Sequence, residues 1–322
     1  MHRLWFERTP PAEFDSLWKH QAVMAGSGND APPSNPYPGV ETAEAAIAGG
    51  RLKYGADFMD LAPNLKVIAR TGIGYDNVDV PAATKRGIVV CNVPDGPTRS
   101  TAEHAITLLL MVAKDIKMIE GLLTQGQCQD YHAALTGIEL WGRTLGVVGF
   151  GRIGRTVAHF GVGLDMNVLV YDPFVKPEVI KEAGMGPVES LDELLAQSDF
   201  VSLHMPATAE MKNLMNADRF QKMKKGSILI NCARGALVDE AALVAALDSG
   251  HLRAAGLDVF QHEPPPPDHP LLNRTNVVCT PHIASATEVG KRNLWTGGIV
   301  QALQVLNGEK PANFINPEVW KK

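Results

Sequence analysis

Cysteine is scarce in this chain of 322 residues. The four present, Cys91, Cys128, Cys232 and Cys279, make no C-x-x-C pair and no zinc-type spacing. That excludes a disulfide framework and a structural zinc site, and free thiols fit a reducing, cytoplasmic setting. No metal is expected. A long apolar run is missing too. The stretch Ala105–Ala113, flanked by Glu103-His104 and Lys114-Asp115, falls far short of the roughly 20 residues a bilayer span needs. The opening Met1-His-Arg-Leu-Trp-Phe-Glu-Arg8 has no apolar core before charge returns, so it does not read as a secretory signal. Positive charge is not in excess: 30 Lys+Arg stand against 35 Asp+Glu, for a formal net charge of −5. Neither nucleic acid nor membrane is an expected partner. No repeat of the solenoid kind is visible.

What is present is ordinary globular chemistry, 45% hydrophobic and 20% charged residues, and a length that suggests roughly two domains. Short β-branched runs recur: Val67–Ala69, Ile88–Val90, Leu145–Val148, Val168–Tyr171, Phe200–Leu203, Ile228–Ile230 and Val277–Cys279, with a weaker one at Ala254–Leu257. Their spacing leaves room for helices, two of which read at Leu191–Ala196 and Glu240–Leu247. The pattern predicts an α/β protein with doubly wound parallel sheets. A single long helix is expected from Thr101 to about Leu123, after the turn cluster Pro94-Asp-Gly-Pro97. Another runs from about Thr287 to Leu306 and leads into an extended tail, Pro311–Pro317. Pro32, Pro33, Pro36 and Pro38 mark an early surface loop.

One turn carries a nucleotide signature. Gly149-Phe-Gly151-Arg-Ile-Gly154 follows a strand and opens a helix, so Gly149 would make the tight turn, Gly151 admit a pyrophosphate and Gly154 allow close packing. Asp172 ends the next strand, 18 residues beyond Gly154, where a carboxylate would bind ribose hydroxyls and repel a 2′-phosphate. No arginine follows it and Lys176 is the one nearby cation, so NAD is favoured over NADP.

Ligands of open parallel sheets bind beyond the carboxyl ends of the strands. Those ends carry, in order, Gly149 and Gly151, Asp172, His204, Cys232-Ala233-Arg234, Asp258 and His282. Reduction of a carbonyl beside a nicotinamide needs a proton donor, and a carboxylate substrate needs a cation to orient it. His282 is the leading acid. Arg234 has the planar fork for a carboxylate, and Glu263 is placed to pair with the imidazole. His204 and His104 remain rivals for the acid, and His262 for the neighbour role.

These residues together resemble the D-isomer-specific 2-hydroxyacid dehydrogenase family. The stretches that carry the resemblance are Asn231-Cys-Ala-Arg-Gly-Ala-Leu-Val-Asp239, Leu257-Asp-Val-Phe-Gln-His-Glu-Pro264 and Thr280-Pro-His-Ile-Ala-Ser285. Arg70-Thr-Gly-Ile-Gly-Tyr-Asp-Asn-Val-Asp79 and Thr101-Ala-Glu-His104 add to it. The resemblance implies a Rossmann-type NAD domain, residues 98–287, inserted into a flavodoxin-like substrate domain made of 1–97 and 288–322. It implies Arg234 as carboxylate anchor, Glu263 as partner of His282, and His282 as acid/base. Cofactor contacts are implied for Thr101, Arg152, Ile153, Asp172, His204, Cys232, Ala233 and Asp258 beside the three glycines. Substrate contacts are implied for Ile73 and Gly74 through their amides, and for Arg51, where Ala48-Gly-Gly-Arg-Leu52 stands at a substrate loop. A homodimer joined through the NAD domain, with Leu122–Leu140 as its arm, completes the picture.

Two functions follow as expectations. The first is NAD-dependent interconversion of a small 2-keto acid and a D-2-hydroxy acid, with 3-phosphoglycerate oxidation and glyoxylate or hydroxypyruvate reduction as candidates. The second is an NADH-sensing interaction protein, since Val90-Cys-Asn-Val-Pro94 and Asn167–Phe174 resemble the C-terminal-binding-protein corepressors of the same fold.

Overall fold

A computed structural model describes residues 1–28, 34–127 and 137–320. Cys128, Pro32, Pro33 and the middle of the expected dimer arm lie outside these residues. The chain forms two compact units, Met1–Pro97 with Ala286–Lys322, and Thr98–Ser285. The changes of unit therefore fall at 97/98 and 285/286, against 97/98 and 287/288 in the sequence reading.

The first unit is built on five parallel strands, β1 (His2–Phe6), β2 (Ala22–Ser27), β3 (Ala45–Ala48), β4 (Val67–Arg70) and β5 (Val89–Cys91), in the order β2-β1-β3-β4-β5. Side chains alternate across the sheet with the period of two that a strand imposes. Leu4 and Phe6 enter one core with Ile47 and Val67, while Trp5 enters the other with Ile68, Tyr54 and Phe58. Both faces are covered, as parallel sheets require. The helix Glu288–Leu306, started by the Thr287 hydroxyl accepting from the Gly290 N–H, lays Ile299, Ala302 and Leu303 on one of them. The tail after it is extended, and it closes the open edge of β5. Phe314 bridges Cys91, the Ile315 N–H donates to Val90, and the Asn316 amide oxygen accepts from Val90. An edge left open would present unpaired backbone groups.

The second unit holds seven strands, β6 (Thr144–Val148), β7 (Asn167–Tyr171), β8 (Gly186–Pro187), β9 (Phe200–Leu203), β10 (Ser227–Asn231), β11 (Leu252–Leu257) and β12 (Val277–Cys279). All pairings are parallel, in the order β12-β11-β10-β9-β6-β7-β8. The order reverses direction between β6 and β9, and a ligand crevice is expected outside the carboxyl ends there.

The long helix expected from Thr101 to Leu123 is two helices, Thr98–Ala113 and Ile116–Thr124. Asp115 stands between them at φ 54, a left-handed conformation that Asp adopts more readily than most residues. The Arg253 guanidinium donates to its carboxylate at 2.6 Å and fixes the break. Among the described residues no helix is long and apolar enough to cross a membrane.

Candidate active site

The carboxyl edge of the second sheet gathers the residues that the sequence singled out from β6 to β12. At the end of β6, Gly149 has φ +98, and a Cβ there would lie 2.9 Å from the carbonyl carbon of His204. A Cβ on Gly154 would lie 1.9 Å from the Gly149 oxygen. Both positions therefore need glycine. Gly151 differs, because a Cβ there would meet nothing within 4 Å. Gly151 is also the N-cap of the helix Arg152–Gly163, with no side-chain cap, so the first-turn amides keep their donors for an anion. Arg152 opens that helix, and Ile153 packs against the core behind it.

Asp172 sits at the end of β7, but it does more than the sequence suggested. Its Oδ2 accepts from the Phe150 N–H at 2.7 Å and its Oδ1 from the Phe174 N–H at 2.9 Å. The carboxylate thus braces the glycine turn and keeps acceptor capacity for hydroxyls. An open glycine, an uncapped helix start and this carboxylate are the parts a dinucleotide requires, and they fit NAD.

Across the switch point, His204 follows β9 with its Nε2 2.8 Å from the Ser202 hydroxyl. Burial pushes its pKa down to about 3, so it is a neutral imidazole and drops out as the acid. Next, Asn231 ends β10 and shapes the loop behind it. Its amide donates to the Arg234 carbonyl at 2.9 Å, and its oxygen accepts from the Ala233 N–H at 3.0 Å. Asn231 was missed, although an Asn heading a loop is a known local turn signal. Cys232 is buried, and burial first, then the Asp258 charge, pushes its thiol well up.

Arg234 leaves this loop beside Gly235, where a Cβ would lie 1.9 Å from the backbone of Phe260. That close approach brings the Arg234 loop against Phe260–Glu263. Glu263 accepts from the Phe260 N–H at 3.1 Å through Oε1, and its Oε2 lies 2.7 Å from His282 Nδ1. Burial alone would raise the Glu263 carboxyl. The His282 hydrogen bond and charge, the Phe260 N–H and the Arg234 guanidinium outweigh it and hold the group below the ordinary carboxylate range. The expected trio is thus together in one unit. His262 is exposed.

His282 itself has φ 52, and the turn that imposes this is built on Asp258. The buried carboxylate accepts from the Thr280 hydroxyl at 2.6 Å and from the N–H groups of Ile283 and Ala284 at 2.9 Å. The His104 Nε2 lies 3.6 Å from the same carboxylate. His104, the other rival, contacts the Thr280 hydroxyl at 2.9 Å, and so belongs to this bracing network. Thr101 is buried one turn earlier on the same helix.

In the first unit, the loop after β4 holds Ile73 and Gly74. The Ile73 carbonyl accepts from the Asn92 amide at 2.8 Å, and the Gly74 carbonyl from the Arg70 guanidinium at 3.0 Å. Among the described residues, neither N–H donates a hydrogen bond. Arg51 is exposed on the loop after β3. Among the described residues, no cluster of His, Cys, Asp and Glu could hold a metal ion.

The chain is similar in sequence and in fold to known proteins. Residues 106–284 match the family described as D-isomer specific 2-hydroxyacid dehydrogenase, NAD binding domain. The chain is 46% identical over 267 residues to a D-3-phosphoglycerate dehydrogenase of Archaeoglobus fulgidus, covering 83% of this chain and 50% of that one. It is 39% identical over 309 residues to a glyoxylate reductase of Korarchaeum cryptofilum, covering 95% and 90%. The crystal structure of a D-lactate dehydrogenase from Aquifex aeolicus, complexed with NAD and lactic acid, superposes with TM-score 0.85 at 31% identity and covers 98% of this chain and 99% of that one. The chain spans about half the length of the D-3-phosphoglycerate dehydrogenases it matches. With the glycine turn, Asp172 at the end of β7 and the His–Glu pair in place, the chain belongs to the D-isomer specific 2-hydroxyacid dehydrogenase family, and its second unit contains that family's NAD-binding domain.

Proposed function

We propose that this protein is an NAD-dependent oxidoreductase that interconverts a small 2-keto acid and the corresponding D-2-hydroxy acid. The observation that carries the proposal is the 2.7 Å contact between His282 Nδ1 and Glu263 Oε2, with Arg234 close enough to act on the same carboxylate.

When bound, reduced NAD supplies the hydride that the carbonyl carbon accepts. The protein supplies the proton and the grip. Glu263 takes one imidazole nitrogen of His282, which fixes the ring and leaves Nε2 for the keto oxygen. The charged imidazole is the form that donates during reduction. In the reverse direction, neutral His282 takes the hydroxyl proton. Arg234 presents a planar fork to the substrate carboxylate. In the first unit, the N–H groups of Ile73 and Gly74 and the loop of Arg51 are assigned to substrate as well. The Gly149–Gly154 turn, Arg152 and Ile153 would hold the pyrophosphate, and Asp172 the ribose. The nicotinamide end falls to Thr101, His204, Cys232, Ala233 and Asp258.

The reading also takes the protein as a cytoplasmic homodimer joined through the second unit. The exposed apolar side chains of Ile116, Leu123 and Trp141 support a covered face there.

The test is a panel of 2-keto acids with NADH, including glyoxylate, hydroxypyruvate, pyruvate and 3-phosphohydroxypyruvate. Substrate-dependent loss of NADH absorbance is expected. Tight NADH binding without oxidation by any of them overturns the proposal and favours a sensor.

Asp172→Ala is expected to reduce the preference for NADH over NADPH by roughly 10- to 100-fold, the value of a charge-assisted hydrogen bond. The ratio of kcat/KM for the two cofactors measures it. An unchanged ratio would assign ribose recognition to another residue.

A further inference from the structure

The sheet of the first unit, ordered β2-β1-β3-β4-β5, has its own switch point between β1 and β3. Open sheets of that order bind ligands outside the carboxyl ends there. The residue that follows β1 is Glu7, and the loop that follows β3 is Gly49–Tyr54. Glu7 is 2% exposed. Its Oε1 accepts from the Arg51 N–H at 3.0 Å, and its Oε2 accepts from the Leu52 N–H at 3.3 Å and the Tyr54 hydroxyl at 2.6 Å. A Cβ on Gly49 would lie 2.3 Å from the Glu7 carboxylate, so the loop is moulded around it. Asn77 holds the loop from the other side through the carbonyls of Gly49 and Leu52.

Two successive backbone N–H groups aimed at one carboxylate form an anion nest. In this unit a side chain of the protein itself fills it. We propose that Glu7 occupies the anion position at this switch point and thereby selects 2-keto acids that carry no second anionic group, such as glyoxylate or hydroxypyruvate, against phosphorylated ones. This rests on the reading above that the loop of Arg51 faces substrate. A distal phosphate reaching the loop finds both amides committed to the Glu7 carboxylate, while the buried Arg70 guanidinium is held by the carbonyls of Ala48 and Gly74. The Arg51 guanidinium is exposed, where one ion pair contributes little, and like charges brought together in a desolvated site cost more than it returns.

The test compares hydroxypyruvate with 3-phosphohydroxypyruvate, which differ by the phosphate, in the wild-type protein and in Glu7→Gln. Wild type is expected to favour hydroxypyruvate in kcat/KM by at least about tenfold, and Glu7→Gln to shrink that ratio by about tenfold, because the repelling charge is gone. A wild-type preference for the phosphorylated acid, or a folded Glu7→Gln with an unmoved ratio, overturns the role of Glu7. If the variant does not fold, the wild-type ratio decides. If no keto acid is reduced, the oxidoreductase reading fails separately. Quenching of tryptophan fluorescence by D-glycerate and by 3-phosphoglycerate then decides on Glu7, and equal or tighter binding of the phosphorylated acid counts against it.

Discussion

Replacing His282 by Ala should lower turnover by roughly 10²- to 10⁴-fold, the usual contribution of a positioned acid/base, with NADH affinity nearly unchanged. The expectation follows from how separate the two functions are in the second unit. The pyrophosphate and the ribose are assigned to the ends of β6 and β7, whereas His282 lies in the turn after β12 and touches Glu263. Steady-state rates and an NADH fluorescence titration measure the two effects independently. Full activity in the variant would remove the acid/base assignment, and a collapse of NADH binding would show that the turn after β12 helps hold the cofactor. Stability has a pH dependence of definite sign, set by Glu263. Its carboxyl is held below the ordinary range in the folded state, so its contribution is present above the unfolded value and fades as acid titrates the folded carboxylate.

How far the site was readable in the sequence depended on which physical signal each residue left. Strands β4 to β7, β9, β10 and β12 announce themselves because Val, Ile and Leu run together where both faces of a parallel sheet are buried, and β11, Leu-Arg-Ala-Ala-Gly-Leu, only weakly. Strands β1 to β3 do not. Ala45-Ala-Ile-Ala48 and Ala22-Val-Met-Ala-Gly-Ser27 are alanine-rich or mixed, and Leu4-Trp5-Phe6 is too short to separate from a loop. Asp172, Arg234 and His282 were legible because each ionisable group falls at or just beyond the place where a strand stops, and Glu263 as a carboxylate in the stretch after Asp258. Asn231, Thr280 and Glu7 were not. Each works by hydrogen bonding to backbone that only the fold brings near, and a lone Glu after three apolar residues reads as a solvated turn. The same limit hid the break at Asp115, which depends on Arg253, far along the chain.

The same geometry separates two glycines that look alike in the sequence. Gly235→Ala should destabilise the protein by roughly 3 kcal/mol or more, because the new Cβ would sit 1.9 Å from the Phe260 carbonyl carbon, 2.0 Å from its oxygen and 2.5 Å from the Gln261 nitrogen. All three are backbone atoms, so no side chain can rotate away. The strands would part at the place where Arg234 and Glu263 are brought together, and turnover should fall along with a melting temperature lower by about 6–12 °C. Gly151→Ala is the contrast. Its backbone at φ −72 suits any residue, and its Cβ would enter open space, so the melting temperature of the free protein should hold. That open space is where a pyrophosphate has to approach the helix start, so NADH affinity should fall by about tenfold or more, the scale of a lost charge-assisted hydrogen bond. Thermal melts with and without NADH measure both variants. A stable Gly235→Ala would mean that the two loops do not touch in solution, and a Gly151→Ala that still gains stability from NADH as wild type does would put the pyrophosphate elsewhere.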